Sequence, residues 1–198
     1  MTSSRAMGQS LVVAVEGLQH ATEVTASQVI NADDCLQAYQ REFDYLVRSL
    51  RRLGVPRSEL EDVVHEVFLV LYRRWGDYDP SRAIRPWLFG IAFRVASSQR
   101  RRHSREVPHA AIEAEDLAPR PDQAVAAEQT RQLVLKAIEE IPMERRAVLV
   151  MHDLDNVSMR EIAALLSIPL FTAYSRLRKA RKEFETAAQR LQNGALRP

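Results

Sequence analysis

Apolar residues recur at spacings of three and four along most of this chain, and this regularity limits its possible folds more than any other feature. The stretch 36–50 shows the pattern, with apolar side chains at Leu36, Tyr39, Phe43, Leu46, Val47 and Leu50. Such spacing predicts a helix with one buried face. β-Branched residues do not cluster in alternating runs, and only six glycines are present. We therefore predict an all-α protein.

Start and stop signals divide the first half of the chain into three helices. The first is predicted from Asp34 to the Gly-Val-Pro turn at 54–56. The second is predicted from Ser58, because the string SELE that begins there has the form of a capping box. A polar turn at 75–80 ends this helix. The third is predicted to begin near Pro86, since proline is favoured in the first turn of a helix.

A segment rich in proline and acidic residues separates this half from the second. It contains Pro108, Pro119 and Pro121, together with the carboxylates of Glu106, Glu113, Glu115 and Asp116. This composition is typical of an extended tether rather than a packed element. The predicted organisation is a flexible extension, a helical domain, a flexible linker, a second helical domain and a tail, at 1–33, 34–103, 104–123, 124–192 and 193–198.

The second half ends in two helices joined by a very short connection. The string SMRE at 158–161 is another capping box, and SIP at 167–169 separates the two helices. Such a connection predicts a helix-turn-helix, whose second helix enters the major groove of DNA. We place Phe171, Tyr174 and Leu177 on the buried face of that second helix.

The charge of the second helix supports DNA binding. The net charge of the whole chain is only +2, but residues 171–190 hold six basic and two acidic side chains. A solvated helix usually mixes the two signs more evenly. The exposed face is predicted to carry Thr172, Ser175, Arg176 and Lys179, with Arg178, Arg181 and Lys182 toward the phosphates. The alternative is a packed helical hairpin with a solvated basic face.

Several other classes of protein are not expected. The single cysteine, Cys35, rules out an internal disulfide framework and fits a reducing compartment. No apolar run approaches the roughly 20 residues that span a bilayer, so we expect a cytoplasmic protein. No nucleotide-binding glycine loop, metal-ligand cluster or catalytic constellation stands out. We therefore predict neither an enzyme nor a bound metal or cofactor.

Four strings resemble a known family, the extracytoplasmic-function (ECF) sigma factors of bacterial RNA polymerase. SMREIAALLSIPLFTAYSRLRKAR is similar to region 4, and IEEIPMERRAVLVMHDL to the helix that opens it. LEDVVHEVFLVLYRRWGDYDP resembles regions 2.2 to 2.3, and RPWLFGIAFRVASSQRRR resembles region 2.4. The resemblance covers residues 36–191. It implies a subunit that binds core RNA polymerase, recognises a two-part promoter and helps to open it.

The resemblance also implies roles for particular residues. The region 2.2 helix would dock on the β′ clamp of the polymerase through Asp62, His65, Glu66 and Leu69. The −10 element would be bound by Asp77, Tyr78, Ser81, Arg82, Arg85, Phe93 and Arg94, with phosphates held by Arg100, Arg101, Arg102 and Arg105. The −35 element would be read by Thr172, Ser175 and Arg176, with phosphates held by Arg160, Arg178, Lys179, Arg181 and Lys182.

The resemblance also implies partners for this chain, and the sequence departs from the family at four positions. The resemblance implies contact with the β′ clamp and β flap of the polymerase, with promoter DNA and with an anti-sigma factor. His65 stands where the family usually has Gln, Arg94 and Ser98 where it commonly has Asn and Asp, and Phe171 where it has Gly.

Two alternatives remain open at this stage. One is a helix-turn-helix regulator that is not a polymerase subunit, with a sensing or dimerising first domain. The other is a protein-interaction module that sequesters an anti-sigma factor. The basic run at 100–102 argues against the first, and the basic recognition helix argues against the second.

Overall fold

The computed structural model of this chain describes the backbone of residues 26–106 and 123–195, and the side chains of residues 33–103 and 130–193. Within these ranges the chain forms seven α-helices. The all-α prediction is confirmed, with a helix-turn-helix in the C-terminal half. Most of the predicted extension, linker and tail lies outside the described residues, and so does the side chain of Arg105.

Three helices build the N-terminal block, namely α1 (Ala26–Leu53), α2 (Leu60–Arg73) and α3 (Ile84–Glu106). Each of them packs against the other two. Their shared core is made of large side chains that are almost fully buried, among them Leu46, Leu50, Val67, Leu71, Phe89 and Ile91. The predicted buried faces of α1 and α2 therefore pack against the buried face of α3.

Two predicted helix starts in this block are wrong. Helix α1 begins at Ala26, earlier than the predicted start at Asp34. Helix α2 begins at Leu60 and its N-cap makes no side-chain hydrogen bond, so Ser58 does not cap it. Ser58 instead lies in a 3₁₀ turn, in which the Glu59 backbone N–H donates to the Pro56 carbonyl at 3.1 Å. The chain therefore enters α2 through a 3₁₀ turn rather than through a capping box.

Four helices build the C-terminal block: α4 (Gln123–Glu139), α5 (Met143–Leu149), α6 (Met159–Leu165) and α7 (Leu170–Ala195). Helix α5 continues into a π-helical turn at Val150–Leu154. Helix α7 packs against α4, α5 and α6. The long last helix is thus supported along its length by the three shorter ones.

The turn between α6 and α7 has a defined geometry. Ser158 caps α6, because its Oγ accepts a hydrogen bond from the Glu161 backbone N–H at 3.3 Å. At the other end of α6, Ser167 adopts a left-handed conformation with φ 54°. The next residue, Ile168, donates its backbone N–H to the Ala163 carbonyl at 2.9 Å. These bonds satisfy the helix end and set the direction in which α7 leaves.

The two blocks contact each other. The hydroxyl of Tyr45 on α1 donates to Oδ2 of Asp155 at 2.7 Å, and Nη1 of Arg52 lies 3.8 Å from Oδ1 of the same carboxylate. Burial and this hydrogen bond raise the pKa of Tyr45. Gly90 of α3 faces α6, where a Cβ would lie 3.6 Å from Leu165. The apolar core is continuous from one block to the other.

A buried arginine joins the same two blocks. Arg146 of α5 is 5% exposed and donates to the carbonyls of Ile141, at 3.0 Å, of Glu139, and of Arg52, at 3.4 Å. Burial lowers its pKa to about 10, so it is still protonated at neutral pH. Gly54 gives it room, because a Cβ there would lie 2.3 Å from Nη1. Gly54 also has φ +87°, a conformation that other residues rarely adopt.

Candidate nucleic-acid interface

The buried side of α7 is formed by Ala173, Leu177 and Ala180. Phe171 and Tyr174 are 83% and 54% exposed, so their predicted place on the buried face is wrong. The two alanines let α7 approach its neighbours closely, which rotates the larger rings outward. The row opposite the buried side follows helical spacing and consists of Phe171, Ser175, Arg178 and Lys182.

The predicted base-reading residues lie together, with Ser175 in this row and Thr172 and Arg176 beside it. Thr172, Ser175 and Arg176 are partly exposed, and with Phe171 and Lys179 they line a shallow depression. The far side of the depression is formed by Glu144 and Arg145, from the first turn of α5. Hydroxyl and guanidinium donors therefore converge at the N-terminal end of the second helix of the motif. In helix-turn-helix proteins this end meets the base edges.

Ion pairs divide the basic side chains of this block into two groups. Arg145 pairs with Glu183 at 2.7 Å, and Arg190 pairs with Glu140. Arg181 binds Asp153 through two hydrogen bonds, of 2.7 and 3.0 Å. Within the described part of the chain, no carboxylate pairs with the basic side chains of Arg160, Arg176, Arg178, Lys179 and Lys182.

The paired group includes one residue that we predicted to hold a phosphate. The hydrogen bonds between Arg181 and Asp153 raise the pKa of Arg181 and lower the pKa of Asp153. Asp153 occupies the Nε–Nη2 edge of this guanidinium and neutralises its charge, so Arg181 offers a phosphate less than an unpaired arginine does. Arg181 thus ties α7 to the π-helical turn, while the unpaired cations face solvent.

Three aromatic rings form a cluster around the turn between α2 and α3. The ring of Tyr78 lies 5.3 Å from that of Trp75 and 5.1 Å from that of Trp87, measured between centroids. The Tyr78 hydroxyl donates to the Arg82 carbonyl at 2.7 Å, which closes the loop that follows. All three rings are partly exposed. The cluster offers surface on which an unstacked base could lie.

The polar residues of this loop are also held in place. Oδ1 of Asp79 accepts from the backbone N–H of Ser81 at 3.0 Å and from its hydroxyl at 2.7 Å, and these bonds lower the pKa of Asp79. Asp77 accepts from Nε of Arg74 at 3.0 Å. The predicted contacts Asp77 and Ser81 thus already have partners inside the loop.

The two candidate cations of the loop differ. Nε of Arg85 lies 2.7 Å from Oε2 of Glu42, a buried carboxylate on α1, and its guanidinium lies 5.2 Å from the centre of the Tyr45 ring. Arg82 is exposed and pairs with no carboxylate among the described residues. Arg82 is therefore the more available of the two for a DNA backbone.

The outer face of α3 continues from the loop. Phe93 is partly buried, and Arg94 donates from Nη1 to the Leu165 carbonyl at 3.1 Å. Desolvation lowers the pKa of Arg94. The basic run predicted to hold phosphates, Arg100, Arg101 and Arg102, is exposed.

The predicted polymerase face of α2 lies on one side of that helix. Asp62 and His65 are exposed, and Glu66 and Leu69 are partly exposed. Tyr72, 37% exposed, extends this face by one more turn. Sequence reasoning missed Tyr72, although its place three residues after Leu69 would have revealed it.

The described residues contain no group of His, Cys, Asp and Glu side chains that could hold a metal. Cys35 is buried, and burial raises its pKa to about 12, so its thiol is not poised for reaction. No helix among these residues is long and apolar enough to cross a membrane.

Comparison with protein families yields two matches that follow one another along the chain. Residues 35–106 match Sigma-70 region 2, and residues 131–184 match Sigma-70 region 4. The ECF RNA polymerase sigma-E factor of Escherichia coli K12 is 31% identical over 160 residues, which cover 75% of this chain and 84% of that protein. The RNA polymerase sigma factor NccH of Alcaligenes xylosoxydans xylosoxydans is 26% identical, over 77% of this chain and 86% of its own length.

Two of the solved structures that share the fold show the extent of the similarity. One is the sigma factor RpoE in complex with the anti-sigma factor NepR from Bartonella quintana, with 21% identity and a TM-score of 0.64. It matches 79% of this chain and 97% of the solved chain. The other is CnrH in complex with the cytosolic domain of CnrY, with 22% identity and a TM-score of 0.53. It matches 82% of this chain and 96% of the solved chain.

Proposed function

This chain belongs to the extracytoplasmic-function sigma factors of RNA polymerase, and we propose that its two blocks read the two halves of a promoter through surfaces defined above. The main support is the division of charge on α7. Arg145, Arg181 and Arg190 are each paired with a carboxylate, whereas Arg176, Arg178, Lys179 and Lys182 on α7 pair with none among the described residues. A surface that keeps its charge uncompensated suits a polyanion.

The upstream element is assigned to α7 and the start of α6. Thr172, Ser175 and Arg176 reach the base edges from the depression beside Phe171. Phosphates are held by the unpaired cations Arg160, Arg178, Lys179 and Lys182. Arg181 acts as a positioning residue through Asp153 and holds the helix at the angle that docking needs.

The downstream element is assigned to the turn between α2 and α3 and to the outer face of α3. Tyr78 and the two tryptophans offer a stacking surface for an unpaired base. Asp77, Ser81, Arg82 and Arg85 shape its rim. Phe93 and Arg94 follow the single strand, and Arg100, Arg101 and Arg102 hold its phosphates.

Protein partners are assigned to the remaining surfaces. The face of α2 with Asp62, His65, Glu66 and Leu69 docks on the β′ clamp, where two carboxylates beside an apolar residue suit a basic helix. The C-terminal block contacts the β flap. An anti-sigma factor is proposed because the neighbour RpoE was solved with the anti-sigma factor NepR.

The mode of action follows from these assignments. The chain supplies binding energy and specificity to the polymerase and performs no bond chemistry of its own, and it acts in the cytoplasm with that enzyme. A regulator that is not a polymerase subunit is not favoured, since region 2 matches residues 35–106.

In vitro transcription with core polymerase on a genomic library tests the proposal. We expect transcripts from a limited set of promoters that share two short elements, and none when the chain is omitted. The matched control carries Arg176→Ala, and this variant should retain binding to the polymerase but lose selectivity at the upstream element. Absence of both promoter-specific transcripts and polymerase binding would refute the proposed function.

A further inference from the structure

We propose that Phe171 reads the 5-methyl group of a thymine in the upstream promoter element. This contact is apolar and adds to the hydrogen bonds assigned to the neighbouring side chains. The inference rests on the proposed function of α7, and it names a specificity determinant of that surface.

The exposure of Phe171 is the first observation. Its side chain is 83% exposed, the highest value among the exposed large apolar residues of the described chain. The fold does not use the ring, because α7 packs through Ala173, Leu177 and Ala180. A ring left in water forgoes the stabilisation that burial gives an aromatic side chain. A contact outside the chain would recover it.

The position of Phe171 is the second observation. It lies in the first turn of α7 and begins the row that points away from the core, followed by Ser175, Arg178 and Lys182. Residues of the first turn in a recognition helix are the ones that meet base edges. The ring also borders the depression that holds Thr172 and Arg176. It therefore stands where base pairs are read.

The surrounding charge decides which partner the ring meets. Four cations without a carboxylate partner in the described chain lie along the first turns of α7, namely Arg176, Arg178, Lys179 and Lys182. An apolar protein groove over Phe171 would have to desolvate these charges, whereas DNA neutralises them. In the major groove, the apolar group that base pairs present is the thymine methyl. Thymine is thus the base that fits an exposed phenyl ring in this place.

The test uses promoters selected by the polymerase carrying this chain. Each thymine of the upstream element is replaced in turn by deoxyuridine, which lacks only the 5-methyl group. For the wild-type holoenzyme, we expect binding to weaken about fourfold at one position, the effect of leaving one methyl group unburied. For Phe171→Ala, we expect binding to the thymine promoter to weaken at least as much, with no further loss on deoxyuridine.

A matched aromatic serves as the control. Tyr174 is exposed on the flank of α7 rather than on its outermost row, so Tyr174→Ala should keep the sensitivity to deoxyuridine. Both variants should fold, because exposed positions tolerate alanine with little change in stability.

Three results would overturn the inference while leaving the proposed function intact. Wild-type binding could be specific yet insensitive to every deoxyuridine, or Phe171→Ala could retain the sensitivity. Phe171→Ala could also weaken binding to core polymerase, which would assign the ring to a protein partner. Failure of the proposed function is recognised separately, because the wild-type holoenzyme would then select no promoter.

Discussion

Two arginines on α7, five residues apart, have different surroundings and different roles. Arg176 borders the depression at the start of the helix and has no carboxylate partner among the described residues. Arg181 is held by Asp153, a residue 28 positions away in sequence. The two side chains are chemically identical, and the rest of the fold gives only one of them a carboxylate partner. A charge run in a sequence cannot show this division, because the partners come from elsewhere in the chain.

Substitution of the unpaired cations separates base reading from phosphate binding. We expect Arg176→Ala to cost about 1–3 kcal/mol of binding free energy at one base pair of the upstream element. Lys182→Ala should instead weaken all promoters equally and reduce the salt dependence by about one phosphate contact. Filter binding of the holoenzyme across salt concentrations measures both. Equal weakening of all sequences by Arg176→Ala would assign it to a phosphate.

The contact of Asp153 with Arg181 makes the free energy of unfolding depend on pH in the acidic range. Arg181 and then His152 lower the pKa of Asp153 below the ordinary value of 3.8. The stabilisation is therefore complete above that ordinary value and is lost as the pH falls through the lowered one. We expect Asp153→Asn to reduce the free energy of unfolding at neutral pH, and the difference to shrink in acid. Urea unfolding at several pH values checks this, and a difference independent of pH would contradict it.

The order of the helices was more predictable than the face that each helix buries. Apolar spacing predicted the order of the helices, because burial of one face imposes that period on any packed helix. For α7, however, the face with Phe171 and Tyr174 and the face with Ala173 and Ala180 both include Leu177. The choice between them depends on the room that α4, α5 and α6 leave, which spacing along α7 does not record.

Helix caps show the same difference between local and tertiary information. Both SELE and SMRE have the form of a capping box, but only Ser158 of the second makes the bond to the helix. The residues of the candidate site show this difference too. The exposed polar residues of α7 followed from spacing, whereas the pairing of Arg85 with Glu42, 43 positions away, did not.

A pair of serine substitutions tests the caps. We expect Ser158→Ala to reduce the free energy of unfolding by about 1 kcal/mol, because the Glu161 N–H loses its partner. Ser58→Ala is the matched control and should change the stability by less than about 0.5 kcal/mol. Urea denaturation followed by circular dichroism measures both. Equal losses for the two variants would contradict the cap assignment.

The whole molecule is held closed by contacts between its two blocks. Asp155 accepts from Tyr45 and pairs with Arg52, and Arg146 reaches the carbonyl of the same Arg52. Gly54 faces Arg146 and Gly90 faces Leu165 across this contact. The sequence marked Gly54 only as part of a turn and did not mark the others, because each has this role only through a partner on the other block.

Because these contacts hold the two blocks together, we expect loss of the Asp155 charge to make the molecule larger. Asp155→Asn removes the ion pair with Arg52 and weakens the hydrogen bond from Tyr45. We expect a larger radius of gyration by small-angle X-ray scattering. Asp153→Asn is the control, because its contacts with Arg181 and His152 lie within the C-terminal block. An unchanged radius for Asp155→Asn would show that this contact does not hold the blocks together.

The hydrogen bond from Arg94 to the Leu165 carbonyl makes DNA and the helix-turn-helix rivals for one side chain. With Arg94 on the single strand as proposed, its guanidinium has to leave the C-terminal end of α6. By thermodynamic reciprocity, loss of this hydrogen bond raises the affinity for the single strand by the same factor with which the single strand favours its loss.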